Sequence, residues 1–211
     1  MLINCNIIKT ILEYYNINIR GIIHIGAHEC EEKEAYNTVF NIMDNNIIWI
    51  DGNNEKVEEN KRKGIENVYC AILDEDNKDV EFHITNNTQA SGILTLNHED
   101  GYYREIVVNK TIKSKSEKLS TFIKRIDRDA SNYNFWNLDI QGSELFVLRG
   151  SKELLDNCDV IYTEVNSQQV YNNCGLVNQI DELLSEYGFK RVHTIWTEKN
   201  WGDALYVKIR N

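Results

Sequence analysis

Short apolar runs that end in a glycine or an acid, each followed by helical spacing of apolar residues, dominate the first third of this 211-residue chain. Ile22-Ile23-His24-Ile25 ends at Gly26, and Glu31 to Met43 reads as a helix with Ala35, Val39 and Met43 on one stripe. Ile47-Ile48-Trp49-Ile50 ends at Asp51. Asn54 to Lys63 follows as a helix, opened by an Asn cap and closed by Gly64. Val68 to Leu73 is the third run, ahead of the acidic turn Asp74-Glu75-Asp76-Asn77. Strand-helix units in succession admit few architectures, and they predict a parallel sheet with right-handed crossovers. A helix over Asn4 to Tyr15, with Ile7, Ile8, Ile11, Leu12 and Tyr15 inward, packs over one edge of that core.

Beyond residue 79 the period changes. Val80 to Ile84 alternates and Glu105 to Ile112 alternates more loosely, so residues 79–115 read as an insert with extra strands. Between the two runs, the polar loop Thr85 to Tyr103 is long enough to be a substrate loop. A helix over Ser116 to Ile126 leads back to the sheet through Asn134 to Leu138. That strand ends at Asp139. Gly142 permits a turn, Glu144 sits in the junction, and Leu145, Phe146 and Leu148 begin a helical face. Strand, acid, glycine turn and helix is the form of a ligand-site rim in an open α/β sheet. Val160 to Val165 is another strand, with Glu164 near its end. Leu176 to Tyr187 is a helix with Ile180, Leu183, Leu184 and Tyr187 inward, closed by Gly188. Six residues, Thr197 to Gly202, join the last two strands, Phe189 to Trp196 and Asp203 to Ile209. A connection that short forces an antiparallel pair.

The expected fold class is therefore α/β: a mostly parallel seven-stranded sheet with helices on both faces, ending in an antiparallel hairpin. One domain over 1–211 is expected, with residues 1–20 as an N-terminal helix and 79–115 as the insert. No run approaches the ~18 apolar residues of a membrane helix, and Met1 to Tyr15 makes a poor signal peptide. Five scattered cysteines without a C-x-x-C pair point to free thiols in a reducing, cytoplasmic setting. The net charge of −10 repels a phosphate backbone, so nucleic acid is an unfavoured partner. Lys110, Lys113, Lys115 and Lys118 are the one candidate basic patch, and they read better as a solvated loop. Membrane insertion is not expected, and a homo-oligomer is left open.

Several residues carry candidate chemistry. The strand, small-residue turn and helix start around Gly26 make a natural cofactor cradle, through outward backbone N–H groups. A strand-end acid placed as Asp51 is typically a ribose ligand in doubly wound folds. Asp139 and Glu164 end two strands expected to be neighbours, and with Asn166 they could hold a divalent cation through oxygen ligands; a metal is not the expected cofactor. His193 is the free imidazole best suited to a general base. Trp196 and Trp201 could stack on a sugar ring or cover the core. Each residue also has a structural reading: Gly26 as a packing turn, Asp51 as a helix cap, Asp139 as a cap of the helix from Ser143, and Glu144 as a partner of a positive helix end.

Taken together, five segments resemble the FkbM family of S-adenosylmethionine-dependent methyltransferases. Leu138 to Gly150 is similar to that family's "DvEGaElevLkG" signature, and Ile22 to His28 to its first glycine motif. Ile48 to Asn53 resembles its second-strand acid, Tyr162-Thr163-Glu164-Val165 its late acidic strand, and Gly202 to Tyr206 its closing "gDaLF" segment. His24 stands where the family usually has Asp, Cys30 where a second glycine often follows, and Gln141 where Glu is common. The resemblance implies a Rossmann-like class I methyltransferase fold and S-adenosylmethionine as cofactor. It also implies an O-methyltransferase acting on a hydroxyl of a sugar, glycan or related small molecule. In the same terms, Gly26, Ala27 and His28 border the methionine end, Asp51 holds the ribose, and Ala71 and Ile72 flank the adenine. Asp139 lies beside the sulfonium and, with Glu164 and His193, forms the candidate catalytic set. The alternatives are a methyltransferase for a non-sugar acceptor, an NAD-dependent enzyme lacking G-x-G-x-x-G, and a non-catalytic cofactor- or sugar-binding module, motivated by His24, Cys30 and Gln141.

Overall fold

The structure is a computed structural model and describes residues 1–98 and 103–210; residues 99–102 of the expected substrate loop lie outside it. Its sheet runs β1 (Ile22–Ile25), β2 (Ile47–Asp51), β3 (Val68–Cys70), β6 (Phe135–Leu138), β7 (Val160–Asn166), β8 (Phe189–Trp196) and β9 (Trp201–Lys208). The seven strands lie in the order β3-β2-β1-β6-β7-β9-β8. The first five are parallel, and β9 is antiparallel to both β7 and β8. β4 (Asp79–Thr85) and β5 (Val108–Lys115) form a separate antiparallel pair within the insert.

Burial explains why these runs are strands. All four residues of β1, and all of β6 and β7, are buried, as strands covered on both faces must be. Their side chains alternate between two cores. Ile23, Ile25, Ile48, Ile50, Trp136 and Leu138 face α4 (Leu119–Arg125), α5 (Glu144–Gly150) and α6 (Val177–Ser185). Ile22, Ile47, Trp49, Phe135 and Tyr162 face α1 (Cys5–Tyr14), α2 (Lys33–Thr38) and α3 (Asn54–Arg62). A third, smaller cluster of Ala90, Leu96, Val170, Tyr171 and Cys174 ties the insert to the segment after β7.

Several expected boundaries shift. The helix expected over 31–43 is only α2, and its buried residue is Tyr36, while Met43 is 65% exposed. Tyr36 stacks on Trp49, so an aromatic contact rather than the aliphatic stripe seats this helix. In α5, Val147 is buried and Phe146 is only half-buried, with the Lys78 ammonium 5.8 Å from its ring. In α6, Tyr187 lies past the helix end, and β9 begins at Trp201 rather than Asp203. The chain has no proline, and many of its turns rely on asparagine: Asn16, Asn41, Asn67, Asn77, Asn173 and Asn200 have φ between 54° and 65°. Asparagine tolerates this left-handed region better than other non-glycine residues do. No helix among the described residues is long and apolar enough to cross a membrane.

Candidate active site

Strand order reverses between β1 and β6, because β2 and β3 extend one way and β7 the other. Open α/β sheets bind ligands at such a switch point, beyond the carboxyl ends of the strands. A cleft of about 440 Å³ lies there, within the roughly 300–1,000 Å³ typical of ligand sites. Gly26 and Asp139 end the two switch strands, and they nearly touch: a Cβ on Gly26 would fall 1.7 Å from the Asp139 carbonyl oxygen. With φ of 90°, Gly26 is therefore required by backbone approach as well as by conformation.

The loop after Gly26 is closed on itself. The N–H groups of Gly26 and Ala27 donate to the Ile50 carbonyl at 2.8 and 3.0 Å, and that of Cys30 to the Ala27 carbonyl at 2.7 Å. His28 N–H donates to Asp51 Oδ2 at 2.7 Å, and Glu29 N–H to Glu31 Oε2 at 3.1 Å. The expectation of outward-pointing N–H groups is thus corrected, because the loop spends its donors internally. Residues 28 and 30 sit at φ of 41° and 58°, in a conformation where an extra side chain is costly. Asp51 accepts a second bond from Asn53 N–H at 2.7 Å, and burial still raises its pKa. His28 reaches across the cleft, its ring nitrogens 2.9 Å from Glu31 Oε1 and 2.9 Å from Thr88 Oγ1 of the insert. Burial works to raise the Glu31 pKa, but the contacts with His28 and backbone N–H groups win and hold it at about 2.

Acids dominate the other end. Asp139 is pushed up to about 6 by burial and then by the neighbouring charge of Asp203. Gln141, at φ of 59°, turns its amide inward, and Nε2 donates to Asp139 Oδ1 at 2.6 Å and to Glu164 Oε2 at 3.4 Å. Tyr171 in turn donates its hydroxyl to Gln141 Oε1. Burial, then Asp139, Glu144 and Asp203, raise Glu164 well above the usual carboxylate range. Asp203 accepts from Leu2 N–H at 2.5 Å and from the Tyr162 hydroxyl, and burial raises it too. Glu144 lies under the turn, where Oε1 accepts from the N–H groups of Ile140 at 2.9 Å and Gly142 at 3.2 Å. The capping role considered for Asp139 is not seen, since no side chain caps this helix; Glu144, which burial pushes up to about 7, ties down the turn before it.

Of the sequence-derived residues, Gly26, His28, Asp51, Ala71, Ile72, Asp139 and Glu164 line the one cleft; Ala27 is buried beside it. His193 is not brought there. It lies on the outer strand β8, in a shallow groove with Asp181, Arg191 and Tyr206. The two tryptophans also part: Trp201 lines the cleft and Trp196 is 41% exposed outside it. Among the described residues no group of three His, Cys, Asp or Glu side chains has metal-binding geometry. Sequence reasoning missed Phe82, Thr88, Tyr103 and Tyr171, which reach the cleft from the insert and from the loop after β7. Thr88 and Tyr103 lay within the loop marked as a substrate loop, and Asp203, also missed, lay within a quoted segment.

The departures at His24, Cys30 and Gln141 have local causes. His24 is buried, which lowers its pKa, and it contacts the Tyr36 hydroxyl at 3.1 Å and Asn137 Nδ2 at 3.4 Å. Cys30 is buried in the tight loop, and burial pushes its thiol up to about 12. Gln141 supplies two N–H bonds that a glutamate could not.

A seven-stranded sheet in this order, with a cleft at the switch point and an acid ending β2, is the Rossmann-like fold of class I methyltransferases. The model of the methyltransferase FkbM domain matches residues 24–191. The chain belongs to that family, and its cofactor is S-adenosylmethionine. Structural similarity extends to magnesium protoporphyrin IX methyltransferase (ChlM) from Synechocystis PCC 6803 with bound SAM. The two are 11% identical, with 97% of this chain and 78% of that one covered and a TM-score of 0.42. A protein of the NADB-Rossmann superfamily from Streptococcus agalactiae is 9% identical, covering 99% and 69%, with a TM-score of 0.49. The N-terminal domain of EvdMO1, in the presence of SAH and D-fucose, is 11% identical, covering 97% and 82%, with a TM-score of 0.43. A search of curated proteins finds no match.

The residues present fit this cofactor. Ile50, Ala71, Ile72, Leu73 and Phe82 form an apolar wall suited to a flat base, and the Asp51 carboxylate stands beside it. The acidic end suits a molecule carrying a sulfonium and an ammonium against a single carboxylate.

Proposed function

We propose that this methyltransferase acts on oxygen, and that its acceptor is a hydroxyl of a sugar, glycan or related small molecule. Asp139 carries the reading: a carboxyl at the switch point, lining the cleft and pushed up to about 6, is a base of suitable strength near neutral pH. S-adenosylmethionine, when bound, supplies an electrophilic methyl group whose bond to sulfur breaks, the electron pair staying on sulfur, as the new C–O bond forms. The protein's part is to align the reactants and to receive the proton. Asp51 binds the ribose hydroxyls through lone pairs left over from its two backbone contacts. Ile50, Ala71, Ile72 and Phe82 hold the base, and alignment of this kind lowers a barrier by about 7–11 kcal/mol. Asp139 takes the hydroxyl proton, and Gln141 holds Asp139 and Glu164 toward the acceptor side.

The lining of the cleft disfavours an anionic acceptor. No Lys or Arg side chain is among its described residues, and the Met1 ammonium there already faces Glu32 at 3.4 Å, so acids outnumber the cationic partners open to a phosphate or carboxylate. Together with the net charge of −10, this disfavours nucleic acid. All five cysteines are free, which supports a reducing compartment and a cytoplasmic location.

Calorimetric titration with S-adenosylhomocysteine tests the donor half, with binding expected at micromolar concentration and silence at high micromolar counting against it. A methyl-transfer screen over free glycans, monosaccharides and non-sugar alcohols, with proteins and RNA as controls, tests the acceptor half. Transfer only to nitrogen, protein or RNA would refute it.

A further inference from the structure

Among the described residues, the carboxyl side chains of the cleft are Glu31, Glu32, Asp51, Asp139, Glu164 and Asp203. Most of their oxygens are met by the protein itself. Glu31 is held by His28, and Glu32 lies 3.4 Å from the Met1 amino nitrogen. Asp51 takes two backbone N–H groups, and Asp203 takes Leu2 N–H and the Tyr162 hydroxyl. Asp139 and Oε2 of Glu164 share the Gln141 amide. One oxygen remains. Glu164 is 5% exposed, and its Oε1 has no hydrogen-bond partner among the described residues.

Two further observations bear on what should meet that oxygen. Asn166 stands two residues along β7, on the same face and fully buried; it lies close enough to Glu164 to work against the rise of its pKa, yet neither Oδ1 nor Nδ2 reaches good hydrogen-bond geometry among the described residues. Unsatisfied polar atoms at that depth call for a polar partner. Tyr103, Tyr171 and Trp201 line the cleft and pack in or against one cluster, with the Lys199 ammonium 5.0 Å from the Tyr103 ring, and aromatic faces beside a carboxylate are the usual surroundings of a bound ammonium. A neutral hydroxyl could satisfy one lone pair of Glu164 while leaving the carboxyl in the protonated form that its burial beside three other acids favours. An ammonium satisfies the lone pair and also stabilises the ionised form, and it does so in the dry surroundings where such pairing is strongest.

We propose that the acceptor carries an amino group near its reacting hydroxyl, as an amino sugar or cyclic amino alcohol does, and that Glu164 binds this ammonium against the Tyr103-Tyr171-Trp201 wall. The proposal rests on the O-methyltransferase reading and narrows its substrate. It divides the two strand-end acids, Asp139 receiving the hydroxyl proton and Glu164 anchoring the nitrogen. It also adds Tyr103, Tyr171 and Asn166 to the acceptor subsite.

The test uses the full chain saturated with S-adenosylhomocysteine for binding, and with methyl-labelled S-adenosylmethionine for turnover. The probes are matched sets on one ring in several configurations: the free amine, its N-acetyl form, the plain hydroxyl and the carboxylate. Free amines are expected to bind and turn over at least tenfold better than their N-acetyl and hydroxyl counterparts, with carboxylates weakest. Glu164→Gln is expected to erase that preference. Because the comparison within wild-type protein needs no variant, a folding defect in Glu164→Gln would not remove the test. Equal or better use of neutral or anionic members overturns the proposal, as does a preference that survives in Glu164→Gln. If S-adenosylhomocysteine binds and no member of any set does, the amine assignment fails while the donor reading stands. If S-adenosylhomocysteine itself does not bind, it is the methyltransfer reading that fails.

Discussion

At the scale of single residues, position at the switch point separates side chains with similar chemistry. Asp139 and Glu144 are five residues apart, yet one faces the cleft and the other is consumed by two backbone N–H groups under the turn. Asp139→Asn should lower kcat by about 10²–10⁴, with S-adenosylhomocysteine affinity, read by calorimetry, within a few-fold of wild type. In the wild type, kcat/KM should fall about tenfold per pH unit below about 6, as the base becomes protonated. That acidic limb should vanish from the residual activity of the variant. His193→Ala is expected to keep kcat within twofold, since β8 carries that ring outside the cleft. Two glycines make a matched pair. Gly64, at φ of 80° with open space around it, should lose about 1–2 kcal/mol on change to Ala. Gly26→Ala adds a collision with the Asp139 backbone and should cost more than about 3 kcal/mol, measured by denaturant unfolding, with loss of cofactor binding.

At the scale of elements, the insert is joined to the sheet by few contacts, and they fall at the cleft. Phe82 of β4 lies against Gly52, where an added Cβ would stand 2.3 Å from the ring. Thr88 meets His28, so one short segment of the insert bears on both ends of the cofactor loop. Gly52→Ala should push the β4-β5 pair outward and weaken S-adenosylhomocysteine binding at least tenfold. Its melting temperature should change by only a few degrees, because both main cores lie elsewhere. A large fall in melting temperature with binding intact would contradict this view of the insert. Lysines on β5 that looked like a basic patch are matched by acids instead: Lys110 by Glu55, Lys113 by Glu81 and Lys115 by Asp79. Such exposed pairs contribute little to stability, and they leave that face without a net attraction for polyanions.

At the scale of the whole molecule, the buried acids set an unusual dependence of stability on pH. Folding raises Asp139 from 3.8 to about 6 and Glu144 from 4.5 to about 7, so the folded chain holds these protons more tightly than the unfolded one. Stability is then present below the unfolded values and is lost as pH rises through about 6 to 7. Glu31, lowered to about 2, acts in the opposite sense, and its contribution is lost as pH falls from 4.5 toward 2. The optimum should therefore lie well on the acidic side of neutrality, with melting on the order of 5 °C higher at pH 5.5 than at pH 8. Self-repulsion from the net charge of −10 at pH 7 acts in the same direction. Glu144→Gln should shrink the difference, because an amide oxygen accepts the same N–H bonds without titrating. A stability that rises from pH 5.5 to pH 8 in the wild type would contradict the assignment.

By itself the sequence determined the strands, the strand-end acids and the closing hairpin. Those features follow from apolar periodicity, glycine turns and short connections, all local along the chain. It also singled out Gly26, Asp51 and Asp139, because each stands where a buried strand stops, and Glu164, two residues short of such an end. It misjudged the length of α2, since the Tyr36 contact that seats this helix is with a residue of another strand. Only the tertiary structure brought Tyr171, Tyr103 and Thr88 to the cleft, because they sit outside any strand or helix that a period marks, and Phe82, because alternation finds its strand but not what that strand packs against. Only the fold, too, showed that the Gly26 loop uses its N–H groups internally, and that Gln141 stands between two acids far apart in sequence. Charge proximity and hydrogen-bond supply depend on distance in space, which a linear pattern does not contain.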